Sequence, residues 1–358
     1  MNKRPYLITG ATGFVGRHLI QELLKDEGVL PIVLVRSRES WEKNDWARKL
    51  KGVELIEGSV TDGSVAEPGA WAADPRLENL AGICHLAAVV RHTRTDTAEM
   101  IQTNVEGTLN MVRLAGRYKA RMIFISTSGT VGCFGNPNEW ADERAPYCGK
   151  EAGIWPYYDS KIQAEKKGRD LASRLGVELV IFRPPVFLGP GDHRFRATGP
   201  ILRMLRGKLP FILRGGIHFV DIRDAVSAMI RAMSIPKPQP VYHLCGTNVS
   251  IDEFFEMVGK VSGVQPPRLH LPIGMIRLLA TVTQKIDVLL GREGHPTLPD
   301  PVVFEMASKY WGLKSLYARD DLGFVSRDPY QTLTDTVNWL CENEIQSGAL
   351  PLDKFLAS

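Results

Sequence analysis

Long apolar runs are missing from this 358-residue chain. No uninterrupted stretch reaches the roughly 18–20 apolar residues of a bilayer span, so a transmembrane protein is not expected. Cysteine is scarce. Cys84, Cys133, Cys148, Cys245 and Cys341 are odd in number, widely spaced and without a CxxC pair, which argues against a disulfide framework or a zinc knuckle and for a reducing compartment. Neither sign of charge dominates, since 44 Lys plus Arg face 40 Asp plus Glu for a net charge of +4. Without a basic stripe, nucleic acid is not expected as a partner. The chain opens Met1-Asn2-Lys3-Arg4 and then turns apolar, but Pro5 and the glycines at 10, 13 and 16 break any secretory h-region, so a cytoplasmic protein is expected.

What is present is a 44% apolar chain with an alternating texture. Short β-branched or Leu-rich runs at Tyr6 to Ile8, Pro31 to Val35, Val53 to Ile56, Gly82 to Leu86, Met122 to Ser126 and Leu179 to Phe182 alternate with segments of helical period. That alternation predicts an α/β protein with a doubly wound parallel sheet. Val15, Leu19 and Leu23 recur every four residues and predict the first helix, stopped at Gly28. After about residue 185 the texture changes to loops punctuated by Pro and Gly, such as Gly189-Pro190-Gly191-Asp192. The expected division is a body over 1–185, to which 218–262 return, a smaller discontinuous lobe over 186–217 and 263–330, and a C-terminal helix and tail over 331–358. In the returning segment, Val241 to Leu244 reads as a strand and Ile251 to Val261 as a helix of the sheet layer.

Thr9-Gly10-Ala11-Thr12-Gly13-Phe14-Val15-Gly16 stands at the junction of the first strand and first helix. Gly10 permits a tight turn, Gly13 lets the backbone approach a pyrophosphate, and Gly16 allows close helix packing, while the helix N-terminus offers free N–H groups. This predicts a Rossmann-type dinucleotide site. The second strand ends Val35-Arg36-Ser37-Arg38 with no acid to accept from a ribose 2′-hydroxyl. Arg36 complements a 2′-phosphate instead, supported by Ser37 and by Arg38 or Arg17, so NADP(H) is the expected cofactor.

Tyr157-Tyr158-Asp159-Ser160-Lys161 opens a segment of helical spacing and puts Tyr157 and Lys161 four apart on one face. A phenol titrates near pH 10, and a neighbouring ammonium favours the phenolate, which suits proton exchange with a carbonyl or alcohol oxygen. Ser126-Thr127-Ser128-Gly129 lies at the carboxyl end of the fifth strand, the edge where ligands bind in open parallel sheets. Ser128 is the chosen third member of the site. Thr127 and Ser126 stay open, because alternation sends neighbours to opposite faces and the register is not fixed by sequence.

These motifs together with His85-Leu86-Ala87-Ala88, Asn104-Val105-Glu106-Gly107-Thr108 and Arg183-Pro184-Pro185 resemble, in order over residues 5 to 230, the extended short-chain dehydrogenase/reductase family. The resemblance implies cofactor binding by Gly10, Thr12, Gly13, Phe14, Val15, Gly16 and Ala87, with Pro184 and Val186 near the nicotinamide. It further implies Tyr157 as the acid/base, Lys161 as the group that tunes it and holds the nicotinamide ribose, and Ser128 as the group that orients the substrate oxygen. Dehydratases of the family carry an Asp-Glu pair after the hydroxyl residue, where this chain has Gly129-Thr130. Many nucleotide-sugar enzymes have Asn where Val186 stands. Tyr310-Trp311, Ala318 to Phe324 and Thr332 to Trp339 resemble the tail of the 3β-hydroxysteroid dehydrogenase and dihydroflavonol reductase branch.

The expectation is therefore an NADPH-dependent reductase, or reverse dehydrogenase, of a hydrophobic ketone or secondary alcohol. A sugar epimerase and a non-catalytic nucleotide sensor are the alternatives, and the resemblance leaves a homodimer open. Residues 273 to 290 read as an amphipathic helix with Ile276, Leu279, Ala280, Thr283, Ile286, Leu289 and Leu290 on one face. A core helix, a lid and a contact with a membrane surface are its three readings, the last because 186–217 holds six Arg or Lys against Asp192 alone. His92, His193 and His218 match no metal-ligand spacing and are expected to be structural or substrate-contacting, His85 to be a packing residue, and Asp221 and Asp224 to cap a helix.

Overall fold

Apolar side chains alternate along the central strands, and the two sets bury on opposite faces of one sheet. The computed structural model describes residues 3–62, 71–95, 97–290 and 298–346. Strands β1 (Arg4–Thr9), β2 (Val29–Val35), β3 (Glu54–Glu57), β4 (Gly82–His85), β5 (Arg121–Ile125), β6 (Leu179–Arg183) and a later strand at Val241–His243 form a seven-stranded sheet. Every neighbouring pair in it is parallel. The spatial order β3-β2-β1-β4-β5-β6 puts the topological switch between β1 and β4, where a crevice opens at the carboxyl ends.

Helix α1 (Phe14–Leu23) follows β1, α2 (Gly107–Tyr118) precedes β5, and α3 (Pro156–Leu175) precedes β6. On one face Ile8, Ile123, Ile125 and Phe182 pack against Leu19 and Ile20 of α1. On the other, Leu7, Met122 and Phe124 pack against Met111 and Val112 of α2 and Ala164 of α3. The fold class and the expected strands therefore appear as read, with ends shifted by one or two residues.

The division of the later chain is different. Strand β7 (Val186–Leu188) lies parallel to β8 (Gly216–Asp221), and β10 (Thr247–Ser250) lies antiparallel to β8, making a second, three-stranded sheet. Between them, only α5 (Ile222–Ser234), whose Ala225 and Met229 join the α1 face, and β9 (Val241–His243) return to the large sheet. Helix α6 (Ile251–Ser262), expected in the sheet layer, packs Phe254, Phe255, Met257 and Val258 against Ile201 and Leu205 of α4 (Gly199–Leu205) instead. The C-terminal helix is built into the same cluster, because Leu333, Val337 and Leu340 form its apolar stripe. Residues 347–358 of the expected tail lie outside the described residues.

Helix α7 (Ile273–Leu289) buries only Ile276 and Ala280 of its expected face, beside α8 (Pro301–Ala307). Leu279, Ile286, Leu289 and Leu290 are exposed, and so are Met275, Leu278 and Val282. Among the described residues the apolar surface of this helix is wider than its contact with α8. Helix α9 (Pro329–Gln346) closes the described chain. Among the described residues no helix is long and apolar enough to cross a membrane.

One ion pair fastens α3 to the large sheet. Arg183 Nε and Nη2 at the end of β6 donate to both oxygens of Glu165 at 2.6–3.2 Å, and the two side chains are 2% and 0% exposed. Removing one partner strands a buried charge. Glu165→Gln is expected to cost about 3–5 kcal/mol, read as a lower urea midpoint with an unchanged denaturant slope.

Candidate active site

A cleft of about 1350 Å³ runs from the β1–α1 turn, past the ends of β4 and β5, to the second sheet and α8. Gly10 makes its tightest turn with φ +67°, and a Cβ there would stand 2.6 Å from Ala87 N on the β4 side. Gly13 is the N-cap of α1, and among the described residues no side chain caps that helix, so its first N–H groups are left open at the cleft. Gly10, Thr12, Gly13, Phe14, Val15, Gly16 and Ala87 all line the groove. An uncapped helix N-terminus behind a glycine turn is the donor set that a pyrophosphate fits.

The turn after β4 is fixed by buried hydrogen bonds. Thr9 Oγ1 accepts from the N–H groups of Leu86 and Ala87 at 3.2 Å each and donates to His85 Nδ1 at 2.8 Å. His85 Nε2 then donates to Thr108 Oγ1 at 3.1 Å, and burial pushes the imidazole down to about 3, so it is neutral. His85 thus aligns β1, β4 and the helix containing Thr108.

Arg36 is exposed at the rim of the cleft and forms no ion pair among the described residues, whereas Arg38 lies 4.0 Å from Glu57. Ser37 caps the short helix after β2 by accepting from Ser40 N at 3.2 Å. Arg17 lies over the Trp46 ring at 5.6 Å and contacts His193.

At the end of β5 the geometry separates the three hydroxyls. Ser126 continues the alternation of Met122 and Phe124 toward α3 and donates to Glu165. Thr127 Oγ1 accepts from Gly129 N at 3.3 Å. Ser128 lines the cleft, its N–H donates to Pro184 O at 2.8 Å, and its hydroxyl has no partner among the described residues. Pro184 is buried and is not among the residues that line the cleft, whereas Pro185 and Val186 are.

Tyr157 and Tyr158 both reach the cleft wall from the first turn of α3. Tyr158 packs with Trp155, Cys133 and Cys148, and a Cβ on Gly129 would overlap its ring. That contact, with the full burial of Thr130, leaves no room for an acid pair at 129 and 130. Lys161 lies beneath the wall, its Nζ 2.8 Å from Ile125 O and 4.8 Å from the centre of the Phe124 ring. Burial brings its pKa down to about 8.

The expected lowering of the Tyr157 phenol by Lys161 is not found. Burial pushes Tyr157 up to about 12, and the charge opposing that rise belongs to Arg196. Lys161 is spent on the β5 carbonyl and Glu165, so it supports the tyrosine's helix more than it charges the tyrosine.

Residues 6–245 match the NAD dependent epimerase/dehydratase family. The chain belongs to that family, within the extended short-chain dehydrogenases/reductases. A Synechocystis sp. protein provisionally named dihydroflavonol 4-reductase is 27% identical over 343 residues, 93% of this chain and 94% of its own length. The UDP-N-acetyl-α-D-glucosaminuronate decarboxylase of Bacillus cytotoxicus is 29% identical over 240 residues, 64% of this chain and 71% of its own. The solved structure of gox2253 superposes with a TM-score of 0.76 at 26% identity, covering 98% of this chain and 100% of that one. The family binds a nicotinamide cofactor, the group whose pyrophosphate the α1 terminus fits.

Three residues matter more to the site than sequence reading showed. Asn104, known beforehand only as part of a motif, accepts from Val89 N at 2.8 Å and donates to Val89 O at 3.0 Å and Ser160 Oγ at 2.9 Å. It sits in a π-helical segment, Gln102–Glu106, and ties the loop after β4 to the turn that carries Tyr157. His92 meets Tyr157 edge-on at 5.6 Å, and Arg196 was one member of a basic run. The signal for Asn104 was a polar residue at an apolar helical position. His218 is structural, donating to Trp311 O and accepting from Gly246 N, while Asp221 caps α5 and Asp224 pairs with Arg327.

Asn104→Ala would leave both backbone groups of Val89 without their partner. The expected loss is about 1–3 kcal/mol in thermal unfolding, with hydrogen exchange quickened in the 86–92 loop.

Proposed function

We propose that this family member is an NADPH-dependent reductase, or the reverse dehydrogenase, of a ketone or secondary alcohol on a hydrophobic substrate. The observation that carries the reading is a protonated phenol, Tyr157, in the same cleft as the one hydroxyl of the β5 cluster that no other described group uses, Ser128. A phenol is protonated at neutral pH and so carries the proton that a reduced carbonyl oxygen takes up. The bound nicotinamide supplies or takes the hydride. Tyr157 donates its proton to the ketone oxygen, Ser128 donates a hydrogen bond to the same oxygen, and Lys161, fixed below them by its bond to Ile125 O, steadies the helix that carries Tyr157.

The cleft wall includes Leu209, Phe211, Ile212, Val303 and Phe304, which suits an apolar substrate body. The Synechocystis relative, named for the reduction of a flavonoid ketone, supports the same substrate class. The relative named as a nucleotide-sugar decarboxylase supports the competing reading, conversion of a nucleotide sugar. NADP(H) is favoured over NAD by Arg36, an unpaired guanidinium at the rim with no acid beside it at the end of β2.

A panel of hydrophobic ketones followed by loss of NADPH absorbance tests the reaction. Turnover is expected with at least one ketone, and Tyr157→Phe should lower kcat by about 100-fold or more while NADPH affinity stays within about twofold. Conversion of UDP-sugars with no ketone reduced would replace this reading with the epimerase one, and cofactor binding without turnover of either class would replace it with the sensor. Arg36→Asp is expected to weaken NADPH binding by about tenfold or more and to spare NADH, measured by fluorescence titration. An unchanged preference would remove Arg36 from the argument.

A further inference from the structure

The apolar face that α7 leaves in solvent has no task in the proposed reduction. Met275, Leu278, Leu279, Val282, Ile286 and Leu289 are all exposed, Leu278 by 66% and Leu289 by 85%. At about 100° per residue they share one stripe roughly 100° wide, turned well away from Ile276 and Ala280, which α7 packs inward beside α8. Scattered exposed aliphatic residues are ordinary, whereas a whole stripe of them marks a surface that another apolar body covers.

The charges around the stripe decide what covers it. Arg268 and Leu269, just ahead of the helix, are exposed, and their segment is bonded to another: Ile212 N donates to Leu269 O at 2.9 Å and Leu271 N to Ile212 O at 3.4 Å. The two segments run parallel there, so the chain from Ile212 to the exposed Arg214 follows the other toward Pro272, the N-cap of α7. Lys285 is exposed at the edge of the stripe itself. Residues 193–220 contain no acid, and 257–290 contain Asp287 alone against Lys260, Arg268, Arg277 and Lys285. Acids that neighbouring segments bring close are committed, Asp252 to His270 Nε2 at 2.7 Å and Glu305 to Arg94 at 2.7 Å and Arg277 at 3.4 Å. A second copy of the chain would set this basic rim against itself, so an anionic surface is the better complement.

We propose that α7, with Arg268 and Leu269 ahead of it, is a docking surface for a membrane that contains anionic lipid. The helix lies in the plane of that surface, its aliphatic stripe entering the acyl boundary while Arg214, Arg268 and Lys285 meet the headgroups. The segments that carry this surface also wall the cleft. Phe211 adjoins Ile212, Phe304 stands on α8 beside α7, and their rings are 6.4 Å apart. A hydrophobic substrate dissolved in the bilayer would thus reach the cleft from its apolar side. That last step rests on the reductase reading, and the membrane contact does not.

The full chain is sedimented with vesicles of phosphatidylcholine, alone or mixed with phosphatidylglycerol. Binding to the anionic vesicles is expected to be about tenfold or more tighter than to the neutral ones, and high salt should narrow that gap. Leu278→Asp with Val282→Asp should weaken binding to anionic vesicles by about tenfold or more, and Arg268→Glu with Lys285→Glu should bring it to within about twofold of the neutral level. These four residues are exposed, so both variants should unfold at the wild-type temperature. On the wild type itself, anionic vesicles should slow hydrogen exchange over 273–290 and leave the large sheet unchanged. Wild-type protein left in the supernatant by both kinds of vesicle, equal binding to the two, or an aspartate variant that binds like the wild type overturns the proposal. So does a dimer, seen by light scattering, that the aspartate variant splits while vesicles bind neither form, because a second copy then covers the stripe. No turnover is measured, so vesicle binding lost in the aspartate variant stands even if no ketone is reduced, and ketone reduction by a protein that ignores vesicles leaves only the reductase reading.

Discussion

The seam between α3 and the carboxyl ends of β5 and β6 governs the rest of the site. Helix α3 must present Tyr157 to the cleft, yet a helix on a parallel sheet is held mainly by non-directional apolar contact. Polar locks supply the direction. Glu165 joins Ser126, just after β5, to Arg183 on β6, and Lys161 reaches the last carbonyl of β5. Charges buried this deeply are costly to desolvate, so the seam specifies one placement of the helix more than it adds net stability. A shift of α3 by one residue would break all of these contacts at once.

The same seam explains how three adjacent hydroxyls come to have separate tasks. Ser126 faces the helix because it extends the alternation of Met122 and Phe124, and there it meets Glu165. The strand then ends, Thr127 closes a 3-10 turn, and that turn brings Ser128 round to the cleft that Tyr157 also lines. Gly129 completes the arrangement by letting the Tyr158 ring lie against its backbone. The second tyrosine of the pair is thus a packing residue, and its position keeps the first at the wall.

Local periodicity carried most of the large sheet and the glycine turn, since alternation, a helical repeat and a Gly-rich junction are properties of neighbouring residues. It did not carry the partnership of later elements. Helix α6 has an apolar stripe that suits either layer, and only the distant stripe of Leu333, Val337 and Leu340 decides where it packs. The choice of Ser128 from sequence was one of three because the turn after β5, not the strand, sets its direction. The surroundings of Lys161 were the least legible, because a spacing of four residues says which helix face a side chain shares but not which carbonyl it will find.

The electrostatics of the cleft follow from these placements. Lys161 lies under the wall and spends its charge on a backbone carbonyl, so the phenol above it meets a desolvated environment rather than an adjacent ammonium. The cation that opposes the rise of that phenol is Arg196 of the second lobe, next to a turn held by Asp192. The large sheet therefore fixes the proton donor, while the second lobe brings the charge that favours its ionised form.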